Sequence, residues 1–191
     1  MRVSPKLMIL VAAVLMCAPG AASADTYLAP FLGVNFANNS GDGRSNFGAN
    51  GGWMANGIIG AEFDIGYAPS FFGNQGLFGS NSVLDVMGNI IVGVPAGRSR
   101  HGGSVRPYGT LGFGLLRSEV NAGPSGTAHI TNNDPGMNAG VGVMGFPSRR
   151  VGVRGDVRYF RDVHSQNVPN GFGIDFGSFH FWRASFGLVI R

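Results

Sequence analysis

Apolar and polar residues alternate one by one over several segments of this chain. In residues 62–67 the apolar positions are Phe63, Ile65 and Tyr67, and the positions between them carry two acids and a glycine. Residues 151–159 show the same division between odd and even positions. Because neighbouring side chains of a β-strand point to opposite faces, each such segment is predicted to be a strand with one apolar face.

Eight segments of this kind follow one another and predict an all-β protein. The predicted strands cover residues 27–37, 47–54, 58–72, 83–94, 106–118, 137–146, 151–161 and 179–190. Long connections are predicted at Asn38–Asn46, Gly73–Ser82, Glu119–Asp134 and Asp162–Asp175, and shorter ones elsewhere, including a tight hairpin at Asn56 and Gly57. Tilted strands of this length cross the apolar part of a bilayer. The pattern therefore predicts an eight-stranded antiparallel up-and-down transmembrane β-barrel, with the long loops outside and with the short turns and both termini in the periplasm.

The N-terminus is typical of an export signal. A basic start precedes an apolar run over residues 8–17, which is too short to cross a bilayer as a helix. A small-x-small pattern at residues 22–24 then predicts cleavage. We expect a signal peptide over residues 1–24 and a barrel domain over 25–191. An uncleaved membrane anchor and lipidation at Cys17 are the alternatives.

Composition excludes several classes of chemistry. The single cysteine lies in the predicted signal, so the barrel domain has no disulfide, thiol nucleophile or cysteine metal site. Without Arg2 and Lys6, the remaining basic residues nearly balance the 10 acidic ones, which does not favour nucleic-acid binding. No apolar window after residue 24 is long enough for a spanning helix, so strands must make any crossing.

The stretches RPYGTLGFG at residues 106–114 and FWRASFGLVI at residues 181–190 are glycine-rich and alternating. They resemble the eight-stranded outer-membrane β-barrels of the outer membrane protein A and OmpX-like type. This resemblance implies a place in the cell outer membrane, with outer-membrane lipid, lipopolysaccharide and the barrel insertion machinery as partners and with extracellular loops open to ligands. The family usually ends on an aromatic residue, whereas this chain ends on Ile190 and Arg191.

Charged residues on the polar faces of the strands are predicted to point into the barrel lumen. They are Glu62, Asp64, Asp85, Arg154, Asp156, Arg158 and Arg183. The bore of an eight-stranded barrel is just wide enough to be filled by side chains, so opposite charges should pair there. The set is interpreted as a network that plugs the lumen. A gated ion path and a substrate site are the functional alternatives.

Catalytic and cofactor motifs are weak. His164, Ser165 and Asn167 loosely resemble the His-x-Ser-Asn pattern of outer-membrane lipid A deacylases, but the spacing differs. The other histidines, His101, His129 and His180, have no partner at metal-ligand spacing. The Gly-x-Gly runs lie within strands, which does not suit a nucleotide loop. We therefore predict no enzyme activity, no cofactor and no metal.

Aromatic residues near the predicted strand ends suggest girdles at the lipid headgroups. They are Phe71, Phe72, Tyr159, Phe179, Phe181 and Trp182. The functional hypothesis is a structural or surface-interaction role. A narrow gated pore for ions or small solutes is the alternative from the transport class, and a lipid-modifying enzyme is a third. A soluble lipocalin-like barrel is the structural rival, and it would place apolar residues in the lumen and charges outside.

Overall fold

The computed structural model describes residues 24–37, 43–71, 78–98, 104–122, 128–163 and 180–191. Within these ranges the chain forms nine β-strands, of which eight are long. They are β1 (Ala24–Ala37), β2 (Arg44–Ala55), β3 (Ile59–Pro69), β4 (Phe78–Gly93), the short β5 (Ala96–Arg98), β6 (Ser104–Ala122), β7 (Ala128–Phe146), β8 (Val151–Asp162) and β9 (His180–Ile190). No helix in the described part of the chain is long and apolar enough to cross a membrane.

The eight long strands close into one antiparallel barrel. Each pairs with its neighbours in sequence, and the pairings of β1 with β9 and of β4 with β6 complete the ring. Following directly paired residues around the ring from Tyr27 leads back to β1 at Ala37 rather than at Tyr27. This stagger means that the strands are tilted against the barrel axis. The predicted eight-stranded antiparallel barrel is confirmed.

The two faces of the barrel wall have opposite character. Along β3, burial alternates strictly from residue to residue. Phe63 is 53% exposed on the outside, whereas its neighbour Glu62 is 3% exposed inside. The same outward exposure holds for large apolar residues on all eight long strands, such as Leu32 and Val141. Apolar side chains that face outward and charges that face inward suit a barrel in lipid and not the soluble lipocalin-like rival.

Two predicted turns are present and define one end of the barrel. Asn56 and Gly57 have φ values of 50° and 72°, which is the left-handed region that a tight hairpin of this kind requires. Residues 147–150 connect β7 to β8, and the Val151 backbone N–H donates to Ser148 Oγ at 3.0 Å. We call the end that carries these turns the turn end and the opposite end the loop end.

The loop predicted at Glu119–Asp134 is wrong over most of its length. β6 continues to Ala122 and β7 begins at Ala128, with Val120 paired to Ile130. Backbone hydrogen bonds can extend a hairpin whatever its side chains are. The polar residues of this segment therefore do not mark the ends of the strands. The connection between β4 and β6, which was predicted among the shorter ones, spans residues 94–103 and contains the short strand β5.

Apolar residues fill the lumen near both ends. The turn-end cluster consists of Tyr27, Ala29, Met54, Ile91, Tyr108, Met144, Phe146 and Val189. The loop-end cluster consists of Ala68, Phe71, Val83, Met87, Leu116, Phe160 and Phe181. The girdle positions predicted for Phe71 and Phe181 are therefore wrong, because both rings point into the lumen and pack 5.2 Å apart.

Two of the predicted girdle residues lie on the outside of the wall. Trp182 is 51% exposed, and its ring lies 5.1 Å from that of Tyr159. Phe72 and Phe179 lie outside the described residues, as do residues 1–23 of the predicted signal peptide. The signal peptide therefore stays a prediction.

Candidate functional site

The seven predicted lumen charges all lie in the bore between the two apolar clusters. Their exposed fractions range from 0 to 6%. The acids Glu62, Asp64 and Asp85 come from β3 and β4, whereas the three arginines come from β8 and β9 together with Asp156. The strand order places these two strand pairs on opposite sides of the ring. Ion pairs between them therefore cross the bore.

Arg158 lies at the centre of the lumen network and contacts three carboxylates. Its Nη2 is 2.8 Å from a Glu62 oxygen, its Nη1 is 3.2 Å from Asp64, and its Nε is 3.1 Å from Asp156. Glu62 and Asp64 lie across the bore, while Asp156 lies two residues away on the same strand. Arg158 is fully buried, so these contacts replace the water that an isolated guanidinium would need.

Arg154 extends the network toward the turn end. It forms an ion pair with Glu62 across the bore and a hydrogen bond of 2.8 Å with Asp156. Its guanidinium lies over the Tyr108 ring, 4.6 Å from the centroid. This contact joins the charged layer to the turn-end cluster.

Arg183 extends the network toward the loop end. It contacts Asp64 at 2.7 Å and Asp85 at 2.8 Å. Its guanidinium lies 4.7 Å from the ring centroid of Phe31 and 4.7 Å from that of Phe160. Arg183 is therefore held by carboxylates at its edges and by two aromatic rings on its faces.

Four uncharged polar side chains, which were not predicted from the sequence, complete the network. The Tyr27 hydroxyl donates to Glu62 at 2.6 Å, and the Tyr108 hydroxyl donates to Asp156 at 2.9 Å. Ser185 donates to Asp156, and Asn50 donates to Asp64. All four occupy the inward parity of their strands. Their inward parity is the sequence signal that identifies them, as it does for the charged residues.

Inward glycines give the arginines their space. A Cβ added at Gly66 would lie 2.5 Å from Arg183 Nη1 and 2.6 Å from an Asp85 oxygen. One added at Gly140 would lie 2.6 Å from Arg158 Cγ. The glycines that make the strands look weak in sequence are thus positions where the network needs room.

Gly66→Val is therefore expected to lower the free energy of unfolding by about 1–3 kcal/mol, because the added side chain overpacks the filled lumen. Gly88→Val is the matched control, since a Cβ at this outward glycine would meet only Phe113 O, at 3.8 Å. Urea unfolding in lipid vesicles, followed by tryptophan fluorescence, measures both. Equal stability of the two variants would contradict a filled lumen.

A smaller polar group closes the turn end. Arg106 forms an ion pair of 2.9 Å with Asp25, and Arg191 lies 3.5 Å from the same carboxylate. Both guanidinium groups lie over the Phe146 ring. This group is separate from the lumen network and was not predicted from the sequence.

A comparison with protein-family models identifies the family to which the barrel belongs. The model described as outer membrane protein beta-barrel domain matches residues 8–188. The chain belongs to this outer-membrane barrel family. The protein is accordingly located in the cell outer membrane, as the sequence predicted. No curated protein sequence matches the chain.

Solved structures of other outer-membrane barrels share the fold. Neisserial surface protein A (NspA) is 16% identical with a TM-score of 0.64, and the match covers 88% of this chain and 99% of NspA. Ail of Yersinia pestis, solved with the heparin analogue sucrose octasulfate, is 10% identical with a TM-score of 0.56 over 87% and 97% of the two chains. The N-terminal barrel domain of Pseudomonas aeruginosa OprF is 11% identical with a TM-score of 0.50 over 88% and 98%.

The described residues offer few groups for metal binding or catalysis. They include no group of three or more His, Cys, Asp or Glu side chains that could hold a metal ion. His180 lies on β9 with its ring 6.0 Å from that of Tyr159, and His129 lies on β7. His101, His164, Ser165 and Asn167 lie outside the described residues. The candidate site is therefore the lumen network, which combines ion pairs, hydrogen bonds and aromatic contacts.

Proposed function

We propose that this outer-membrane barrel has a structural or surface-interaction role and that the lumen network closes its bore to ions. The observation that carries the proposal is the set of ion pairs that Arg158 makes with Glu62 and Asp64 across the bore. The site residues of this function are the seven lumen charges described above. Their role is to fill the tube and to tie its opposite walls together.

The packing on either side of the network supports a closed bore. The turn-end and loop-end clusters place apolar side chains such as Met54 and Phe181 in the lumen, each with no exposed surface. Apolar constrictions exclude water and with it hydrated ions. Opening a path would require both the displacement of these side chains and the separation of buried ion pairs, and one unpaired buried charge costs several kcal/mol.

A gated pore for ions or small solutes is the second candidate, because lumen charges with more than one ion-pair partner also favour it. Arg158 and Asp64 each have more than one partner. Exchange between partners would allow the network to rearrange without leaving a charge unpaired. In this alternative the arginines line a path and do not close it.

Single-channel recording in planar bilayers separates the two functions. The wild-type protein is expected to add no unit conductance, because the bore is filled. Arg158→Ala tests the network, and Arg161→Ala on the exposed side of the same strand is the control. A reproducible wild-type conductance that Arg158→Ala abolishes and Arg161→Ala leaves unchanged would overturn the plug and favour the pore.

The surface role is proposed for the loop end. The contact regions are Asn38–Asn46, Gly73–Ser82, Glu119–Asp134 and Asp162–Asp175, of which the outer parts of the β6 and β7 arms are described as strand. Ail, which shares the fold, was solved with the heparin analogue sucrose octasulfate. We propose loop ligands outside the cell, lipid and lipopolysaccharide around the wall, the insertion machinery as assembly partner, and no nucleic acid.

We propose no catalytic role, cofactor or metal for this protein. The support is the match to a barrel family and the use of every charged residue of the lumen network in ion pairs. Glu62, Asp64 and Asp156 each contact two arginines, and Asp85 contacts Arg183. The lipid-modifying alternative depends on residues 164–167, which lie outside the described part of the chain.

A further inference from the structure

An apolar groove runs along the outer wall where β6, β7 and β8 lie side by side. It has a volume of about 800 Å³, and its lining is almost wholly apolar. Val141, Val157, Tyr159 and Trp182 are among the lining side chains, and Gly109 contributes to its floor. A second hollow shares Gly109, Val141 and Val157 with the first and continues toward the turn end past Gly155. Together they form one furrow along the lipid-facing wall, here called the wall groove.

The depth of the wall groove does not come from packing within the barrel. A Cβ added at Gly109 would meet only Gly140 O, at 3.8 Å, and one at Gly155 would meet only Ser185 O, at 3.9 Å. Both distances are ordinary van der Waals contact, so the wall has room for a side chain at either position. Inward glycines such as Gly66 differ, because a Cβ there would overlap network atoms. The wall groove thus exists because side chains are missing where they would fit.

An arginine stands at the loop-end mouth of the wall groove. Arg161 lies two residues beyond Tyr159 on β8, so both point outward. The paired residues across β9 are His180 and Trp182. Among the described residues Arg161 is exposed and has no ion-pair partner, whereas Arg117, also outward at the loop end, is paired with Glu119 at 2.5 Å. A cation therefore stands next to the aromatic pair near the loop end of β8.

We propose that the wall groove binds one acyl chain of an anionic membrane lipid whose phosphate is held by Arg161. The apolar lining matches the acyl chain, and the positive charge at the mouth matches the phosphate. Tyr159 and Trp182 lie between them, at the level where amphipathic rings meet lipid headgroups. The occupant is a membrane lipid and not a soluble anion, because the groove below the arginine opens only to the lipid-facing side of the wall.

Fluorescence quenching by brominated lipids tests this site, since the chain has two tryptophans. Trp53→Phe leaves Trp182 at the wall groove, and Trp182→Phe leaves Trp53 near the turn end of β2. Each variant is inserted into phosphatidylcholine vesicles that contain brominated phosphatidylglycerol or brominated phosphatidylcholine. Quenching of Trp182 is expected to show a preference for the anionic lipid of about fivefold, the scale of one arginine near a membrane surface. Trp53 is expected to show no such preference.

Two variants in the Trp53→Phe background separate the headgroup from the chain. Arg161→Ala is expected to abolish the anionic preference while quenching by phosphatidylcholine persists, and Arg117→Ala is its control with no change. Gly109→Leu fills the groove floor and is expected to reduce quenching by both lipids at least twofold, because less acyl chain is held beside Trp182. Gly88→Leu, at an outward glycine that does not line the groove, is its control.

Three outcomes would overturn the proposal. The first is an anionic preference that survives Arg161→Ala or appears equally at Trp53. The second is quenching that Gly109→Leu and Gly88→Leu change equally. The third is quenching of Trp182 that falls as the protein-to-lipid ratio rises, because a second copy of the chain would then cover the groove.

Discussion

Arg158→Met is expected to lower the free energy of unfolding by about 3–5 kcal/mol, the cost of removing one partner from a buried ion pair. Arg158 is fully buried and meets Glu62, Asp64 and Asp156. Methionine retains part of the side-chain volume and removes the charge. The loss of stability therefore measures the ion pairs more than the cost of a cavity. Urea unfolding in lipid vesicles, followed by tryptophan fluorescence, measures it.

Arg149→Met makes the same substitution in the turn between β7 and β8. Arg149 is exposed and lacks an ion pair among the described residues, so its replacement is expected to change stability by less than about 0.5 kcal/mol. Adding Glu62→Gln to Arg158→Met should recover part of the loss, because it removes one of the carboxylates left without its partner. A loss below about 1 kcal/mol for Arg158→Met, or strictly additive effects of the two changes, would show that the network contributes little to stability.

Parity along the strands was sufficient to predict which side chains face the lumen. Glu62 and Asp64 alternate with Phe63 and Ile65, and the structure places the acids inside and the apolar residues outside. This works because the side-chain period of a strand is two residues, whatever the strand pairs with. The same rule, applied strictly, excludes Phe181 and Trp182 from one girdle, since adjacent residues cannot share a face.

The partners within the network could not be predicted from the sequence. Arg183 meets Asp85 across 98 positions and Asp64 across 119 positions of the chain. Which acid meets which arginine depends on the tilt of the strands and on the way the ring closes, and neither leaves a local sequence signal. The ends of β6 and β7 could not be predicted from the sequence either. Both strands continue into polar sequence, where backbone pairing no longer needs an apolar face.

Val141→Arg is expected to destabilise the barrel by about 2–4 kcal/mol, the cost of a charge on the lipid face near the middle of the bilayer. Val141 is 68% exposed, and its pairing with Gly109 and Val157 places it well inside the ring of paired strands. No acid stands beside it on the outer wall, since its outward neighbours Leu111, Val143 and Val157 are apolar. The arginine must therefore enter hydrocarbon unpaired or draw headgroups and water toward itself.

Val105→Arg is the matched control on the neighbouring strand. Val105 is 49% exposed and pairs with Gly145 one residue from the start of β6, so an arginine there reaches the headgroup region at a cost of about 0–1 kcal/mol. Both variants carry the same substitution on the same outward face and differ only in depth. Reversible unfolding in phosphatidylcholine vesicles gives the difference between them. Equal and small losses would mean that the outward face meets water, and the exposed valines would then be the surface of a soluble barrel.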